Sequence, residues 1–169
     1  LVALPERLVP SEMRTFCARI AASLPQIPLT TTPSGEVQIS PCQGGFPASH
    51  LNSENVETYA IWPYEVFGVN RTVSGVSDPQ GIGVTTFDNV HFGHGNSAWR
   101  YDGQDAAILG MGQYAWDFAV ARVQLQGRCD SSLFPGYLAA DSSDGAPQVE
   151  SNGIVAVTLQ KMLVQTAGR

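Results

Sequence analysis

Pro147-Gln-Val-Glu-Ser-Asn-Gly-Ile-Val-Ala-Val-Thr-Leu-Gln-Lys-Met-Leu-Val-Gln165 decides how this chain is read. A lone carboxylate, Glu150, stands in a Ser/Asn/Gly turn, and a helix expected over 151–166 follows it. That helix is apolar on nearly every side, the pattern of a buried helix. A carboxylate at its mouth sits at the positive end of the helix dipole and faces whatever cavity the helices enclose. Such a group either grips or activates a ligand, or it caps the helix.

Two further helical blocks lie upstream. Residues 99–126 read as helical with a break at Gly110-Met111-Gly112, which implies a hairpin of helices over 102–109 and 113–126. Tyr114, Ala115, Phe118, Val123 and Leu125 give the second of these its apolar face. Near the start, Ser11 is a candidate N-cap. Met13, Phe16, Cys17, Ile20 and Leu24 follow it as a one-sided stripe, which predicts that Cys17 is buried packing. Residues 54–69 form a dense apolar block in which Pro63 must start a helix or kink one. Its aromatics Tyr59, Trp62 and Tyr64 serve either the core or a stacking wall for a sugar-like ligand.

The intervening stretches read as loop. Residues 25–53 hold five prolines and three glycines and leave room for one short strand at Glu36–Ser40. Residues 70–98 and 127–149 look irregular. The sum is an all-α domain with long loops of the kind that often carry function.

Composition narrows the function. The chain has 169 residues, 43% hydrophobic and 14% charged, with net charge −6. That length suits a single domain. One lysine, Lys161, stands among nine basic residues, so no basic stripe for nucleic acid exists and no nucleic-acid partner is expected. No run of 18 apolar residues occurs, so no membrane partner is expected either. The three cysteines are too far apart for a zinc motif. Cys42 and Cys129 lie in loops and could form a disulfide. The sequon Asn70-Arg71-Thr72, in a turn expected to be exposed, is open to glycosylation. Together with the single lysine and the loop cysteines it tilts the reading toward secretion.

No nucleophile elbow or phosphate loop is present. His91 and His94 lie three apart in a loop, but a metal site needs a third ligand and only Asp88 is near. Hydrogen bonding to a ligand or to the backbone suits them better, and neither metal nor cofactor is expected. What remains is carboxylates (Glu54, Glu57, Asp102, Asp105, Asp141, Asp144 and Glu150) and the tryptophans Trp62, Trp99 and Trp116. Carboxylate pairs acting as acid and base are the means of glycoside hydrolysis.

Three segments also carry a resemblance. Glu57-Thr-Tyr-Ala-Ile-Trp-Pro-Tyr-Glu-Val-Phe-Gly68 resembles the Glu-Leu-Tyr-Pro-Ile-Phe-Pro-Tyr-Arg-Leu-Tyr-Gly of a clan of (α/α)6-toroid glycosidases. Trp99-Arg-Tyr-Asp102 with Ala106-Ala-Ile-Leu-Gly110 resembles their Trp-x-x-Asp…Ala-x-x-Leu-Gly helix. Leu159-Gln-Lys-Met-Leu-Val-Gln165 resembles their Leu-Gln-x-Met-Leu-Leu-Gln. The best-known relatives are the family 95 glycoside hydrolases, mostly α-L-fucosidases and α-L-galactosidases. Their last inner helix follows Gln-Ile-Asp-Gly-Asn-Phe-Gly-Gly, whose Asp lies as far before the closing Gln as Glu150 lies before Gln165. The resemblance therefore implies that Glu150 is the carboxylate that helps activate water in an inverting reaction. It further implies a sugar pocket shaped by Trp62, Tyr64 and Trp99, with His91, His94, Asp102 and Asn152 bonding hydroxyls. Glu in place of Asp adds a methylene and moves the carboxylate oxygen by more than about 1 Å, a displacement that matters to a positioned base.

The resemblance implies an (α/α)6 toroid, of which this chain holds fewer than half the helices. The expectation is thus a single domain over residues 1–169, the C-terminal part of a larger catalytic domain. Its partners would be carbohydrate and the upstream remainder of that domain. Taken alone, the chain would leave the inner faces of 54–69 and 151–166 uncovered. The rival reading is a glycan-binding or structural toroid segment without catalysis.

Overall fold

The computed structural model describes residues 8–44, 55–95, 100–126 and 149–164. They are mostly helical, with one small two-stranded sheet. Helix α1 (Ser11–Ser23) comes first. Strands β1 (Leu29–Thr31) and β2 (Val37–Ile39) follow, then a 3-10 helix at Val56–Ala60. Helices α2 (Pro79–Asp88), α3 (Asp102–Ile108), α4 (Gly112–Gln126) and α5 (Val149–Leu163) complete the order.

Helix α3 is the axis of the packing. All seven of its residues are buried, and α4 and α5 lie against it. It contains Gly103, where a Cβ would sit inside van der Waals contact of the Phe118 ring and 2.8 Å from Thr158 Oγ1. Only glycine lets α4 and α5 approach this closely. The hairpin break falls where the sequence places it. Gly110 takes φ 81°, and Met111 N–H donates to Ala106 O at 2.8 Å, which closes α3 before α4 begins.

Four expectations need correction. Residues 70–98 are not all irregular, because α2 lies within them. Its start is an ordinary cap: Asp78 accepts the Gly81 N–H at 2.8 Å and Pro79 opens the helix. Its glycines and threonines blur the apolar stripe and hide it from periodicity. Residues 25–53 likewise contain a hairpin of two strands instead of one, paired Leu29↔Ile39 to Thr31↔Val37, with Gly35 at φ 89° in the turn. Pro63 neither starts nor kinks a helix; it follows a cis bond from Trp62 in the turn after the 3-10 helix. Ser11 does not cap α1, since the capping position is Pro10 and no side chain caps the helix.

Burial corrects four more. Helix α1 has no buried residue. Its stripe faces water, with Met13, Phe16, Ile20 and Leu24 between 43% and 66% exposed, and Cys17 is only half-buried. Helix α5 is one-sided: Ile154, Val155 and Thr158 are buried, while Leu163 is 85% exposed. On α4 the buried face is Ala115, Phe118, Ala119 and Arg122, which turns Val123 outward. The inner face of 54–69 is covered within the chain, for Ile61 and Phe67 are fully buried with Phe87, Ala106 and Leu109. The hairpin joins this core through α2, where Ile39 N–H donates to Thr86 Oγ1 at 2.8 Å.

Candidate functional site

The polar residues of the 3-10 helix, of the loop at 91–95 and of α3 meet beneath the apolar core. Glu57 is 1% exposed and its Oε1 accepts the His91 N–H at 2.7 Å. Asn55 reinforces that loop, donating from Nδ2 to Gly93 O at 3.0 Å and accepting the Phe92 N–H at 3.3 Å. Asp102, the first residue of α3, accepts the Gly95 N–H on Oδ2 at 2.7 Å, and His94 Nδ1 lies 3.2 Å from the same oxygen. The loop thus wraps two carboxylates, using main-chain donors for both.

Asp105 lies one turn further along α3 and is buried. Burial pushes its carboxyl well above the ordinary aspartate range. The Thr58 hydroxyl and the Trp62 N–H oppose that rise, while the carboxylates of Asp102 and Glu57 add to it. Glu57 Oε2 and Asp105 Oδ1 are buried without a hydrogen-bond partner among the described residues. An orphan buried oxygen costs roughly 1–3 kcal/mol, so two in one cluster ask for a reason. On the far side of α3, Thr158 donates to Ile154 O at 2.8 Å and lies 3.3 Å from Gln104 Oε1. Arg122 is fully buried with its guanidinium 5.7 Å from the Phe118 ring. Burial lowers its pKa to about 10 against the pull of Asp102 and Tyr101.

Beside this cluster a recess of about 300 Å³ opens to the surface, lined by His94, Gly95, Tyr114, Asp117, Phe118 and Ala121. His94 packs at a tilt against Phe87, with centroids 4.4 Å apart, and lies 5.6 Å from the Tyr114 ring. The Tyr114 hydroxyl is pushed up to about 12 by burial and by Asp102, partly offset by Arg100. Asp117 Oδ1 accepts from Gln113 Nε2 at 2.9 Å. A second hollow, along α1, is lined by that helix alone.

The expected site residues separate. His94 and Asp102 come together at the recess. His91 enters through its main chain, bound to Glu57, and its ring packs on Phe92 at 4.5 Å. Trp62 packs against the core beneath Lys161, whose Nζ is 5.9 Å from its ring, and Tyr64 is 72% exposed. Neither lines the recess; for Trp62 the core-packing alternative holds. Lys161 also meets Glu65 at 2.5 Å, and Glu65 holds Arg71 at 2.6 Å. Asn152 is half-buried in the first turn of α5. Glu150 lies on that turn too, but its side chain is outside the described residues, as are Trp99 and Cys129. Cys42 is exposed in the turn after β2, and Asn70 is exposed at φ 58°.

Of the other residues at this candidate site, the sequence offered Glu57 and Asp105 only as members of a broad set of carboxylates, Tyr114 only as part of an apolar helix face, and Asp117 not at all. The first two were visible as the polar members of otherwise apolar segments. Nothing in the sequence joined the last two to the site, because only the packing of α4 on α3 brings them to the loop at 91–95. Among the described residues, no group of three or more His, Cys, Asp or Glu side chains converges to hold a metal, and no helix is long and apolar enough to cross a membrane. Comparisons with protein-family models, curated proteins and solved structures give no match.

Proposed function

We propose that this chain is the C-terminal part of the catalytic domain of a secreted, exo-acting, inverting glycoside hydrolase of (α/α)6-toroid type, similar to the α-L-fucosidases and α-L-galactosidases of family 95. It forms one wall of the active site and acts on terminal sugars of glycans. One observation carries the reading. The three segments that bear the resemblance, separate in sequence, touch in space: Val69 N–H, next to the first, donates to Ile108 O in the second at 3.0 Å. Lys161 in the third reaches Glu65 and Trp62 in the first. Residues kept together for one site would meet in this way, and a cluster of buried carboxylates lies at their junction.

Glu150 is the base or the carboxylate that orients water. In the assembled protein, Glu150→Gln should fold normally, since the amide is nearly isosteric. Turnover of an aryl α-L-fucoside or α-L-galactoside should fall by on the order of 10²–10⁴-fold. A cap alone would cost about 1 kcal/mol of stability and leave turnover untouched; that result sinks the catalytic assignment. The second reading, a glycan-binding or structural segment, is favoured by one fact. Glu57 and Asp105 are 1% and 2% exposed, so within this chain neither reaches a substrate directly.

A further inference from the structure

We propose that the recess between the 91–95 loop and α4 is a binding subsite for a neutral, polyhydroxylated ring, a single sugar unit, read by His94 and Asp117. The proposal rests on the glycosidase reading for its substrate class and on the geometry of the recess for its place.

Asp102 Oδ2 already accepts the Gly95 N–H at 2.7 Å, so it acts as an acceptor toward His94 as well. His94 Nδ1, 3.2 Å away, therefore carries the proton in the neutral ring, and Nε2 is left with its lone pair. Nε2 has no partner among the described residues, and the ring, pinned between Asp102 and Phe87, lines the recess. Asp117 is fixed in a similar way: Gln113 holds Oδ1 at 2.9 Å, and Oδ2 is without a partner among the described residues. The apolar part of the lining is Ala121, Tyr114 and Phe118, the last only 6% exposed.

This lining offers acceptors over a greasy surface. It suits a ligand that donates hydrogen bonds from its rim and turns C–H groups to the apolar lining, which is a description of a sugar. A carboxylate beside the ring, with Asp102 behind it, repels anions. A volume of about 300 Å³ fits one ring rather than a chain.

The experiment is an NMR titration of the full chain, isotopically labelled, with methyl α-L-fucopyranoside, methyl α-L-galactopyranoside and, as a cation of similar size, tetramethylammonium. Saturable shifts at the His94 ring, Tyr114, Phe118 and the Ala121 methyl are expected with a glycoside. Asp117→Asn, an exposed position that keeps its Gln113 contact, should weaken binding about tenfold, as expected when a charged acceptor is lost. Ala121→Trp fills the recess without touching a polar group and should abolish binding. Shifts from tetramethylammonium alone, no saturable shift with either glycoside, or binding unchanged in both variants overturns the subsite. The hydrolase reading is tested separately by Glu150→Gln. Turnover lost there with glycoside binding indifferent to Asp117 and Ala121 removes the subsite and spares the hydrolase. Turnover kept there with binding sensitive to both residues supports the subsite and removes the hydrolase.

Discussion

Asp105→Asn isolates the chemistry of the buried cluster. Asp105 is 2% exposed, and burial pushes its carboxyl well above the ordinary aspartate range, helped by the negative charges of Asp102 and Glu57. The Thr58 hydroxyl and Trp62 N–H act the other way and do not cancel the rise. The folded state therefore keeps a proton that the unfolded chain gives up near pH ~3.9. Between that value and the raised folded-state value, the folded form binds more protons than the unfolded form. Stability then falls as pH rises, by at most about 1.4 kcal/mol per pH unit for one proton. The contribution is complete below the unfolded value and is lost as pH climbs through the folded one. Asparagine has the same shape and no proton to lose, so its variant has no such slope.

The assay is a set of urea or thermal melts of both proteins at about pH 4.5, 5.5 and 6.5, all above the unfolded aspartate value. All other groups titrate in both proteins, so the difference between the two curves belongs to Asp105 and its coupling to Asp102 and Glu57. The variant should gain on the parent as pH rises, by at most about 1.4 kcal/mol per pH unit, until the folded carboxyl ionises. For a chain of this size each kcal/mol moves Tm by about 2–4 °C. Parallel curves at the three pH values refute the reasoning, because they mean that Asp105 is ionised in the fold as readily as in the unfolded chain.

Gly103→Ala places a methyl against the Phe118 ring and Thr158 Oγ1 and should cost about 1–3 kcal/mol, read as a lowered Tm. Amide hydrogen exchange should be slowest across Asp102–Ile108, where every residue is buried, and fastest across Ser11–Ser23, where none is. A helix of that length is marginal without packing, so slow exchange in α1 at low protein concentration would contradict the exposure of its stripe. Passed through a eukaryotic secretory pathway, the chain should carry glycan on exposed Asn70, checked by peptide mass spectrometry.

The α3–α4 hairpin and α5 were legible because glycines and apolar residues mark them on the local scale at which sequence speaks. Helix α2 was not, although Asp78-Pro79 announces its start, because glycine and threonine dilute the stripe that periodicity looks for. The stripe of α1 was legible as a stripe, but amphipathicity says only that a face wants cover and never where the cover is. At the site, His94 and Asp102 lie eight residues apart and were within reach of motif reading. Their link to Glu57 and Asp117 was not. That link depends on the loop at 91–95 folding back over the 3-10 helix and on α4 crossing α3, contacts between segments that no single stretch encodes.

The burial of Glu57, Asp102, Asp105 and Arg122 around one short helix is itself an argument about function. Apolar residues of matching volume at such positions are often neutral or more stable. Here the fold instead retains a carboxyl that loses its proton only with difficulty, a guanidinium whose pKa burial lowers to about 10, and two carboxylate oxygens without partners among the described residues. It also spends loop donors on Glu57 and Asp102, holding the 91–95 segment where the His94 ring meets the recess. Stability alone does not select that arrangement. A requirement to hold His94 and the loop in one position would, and it is the role that the proposed subsite at the N-terminal end of α3 gives them.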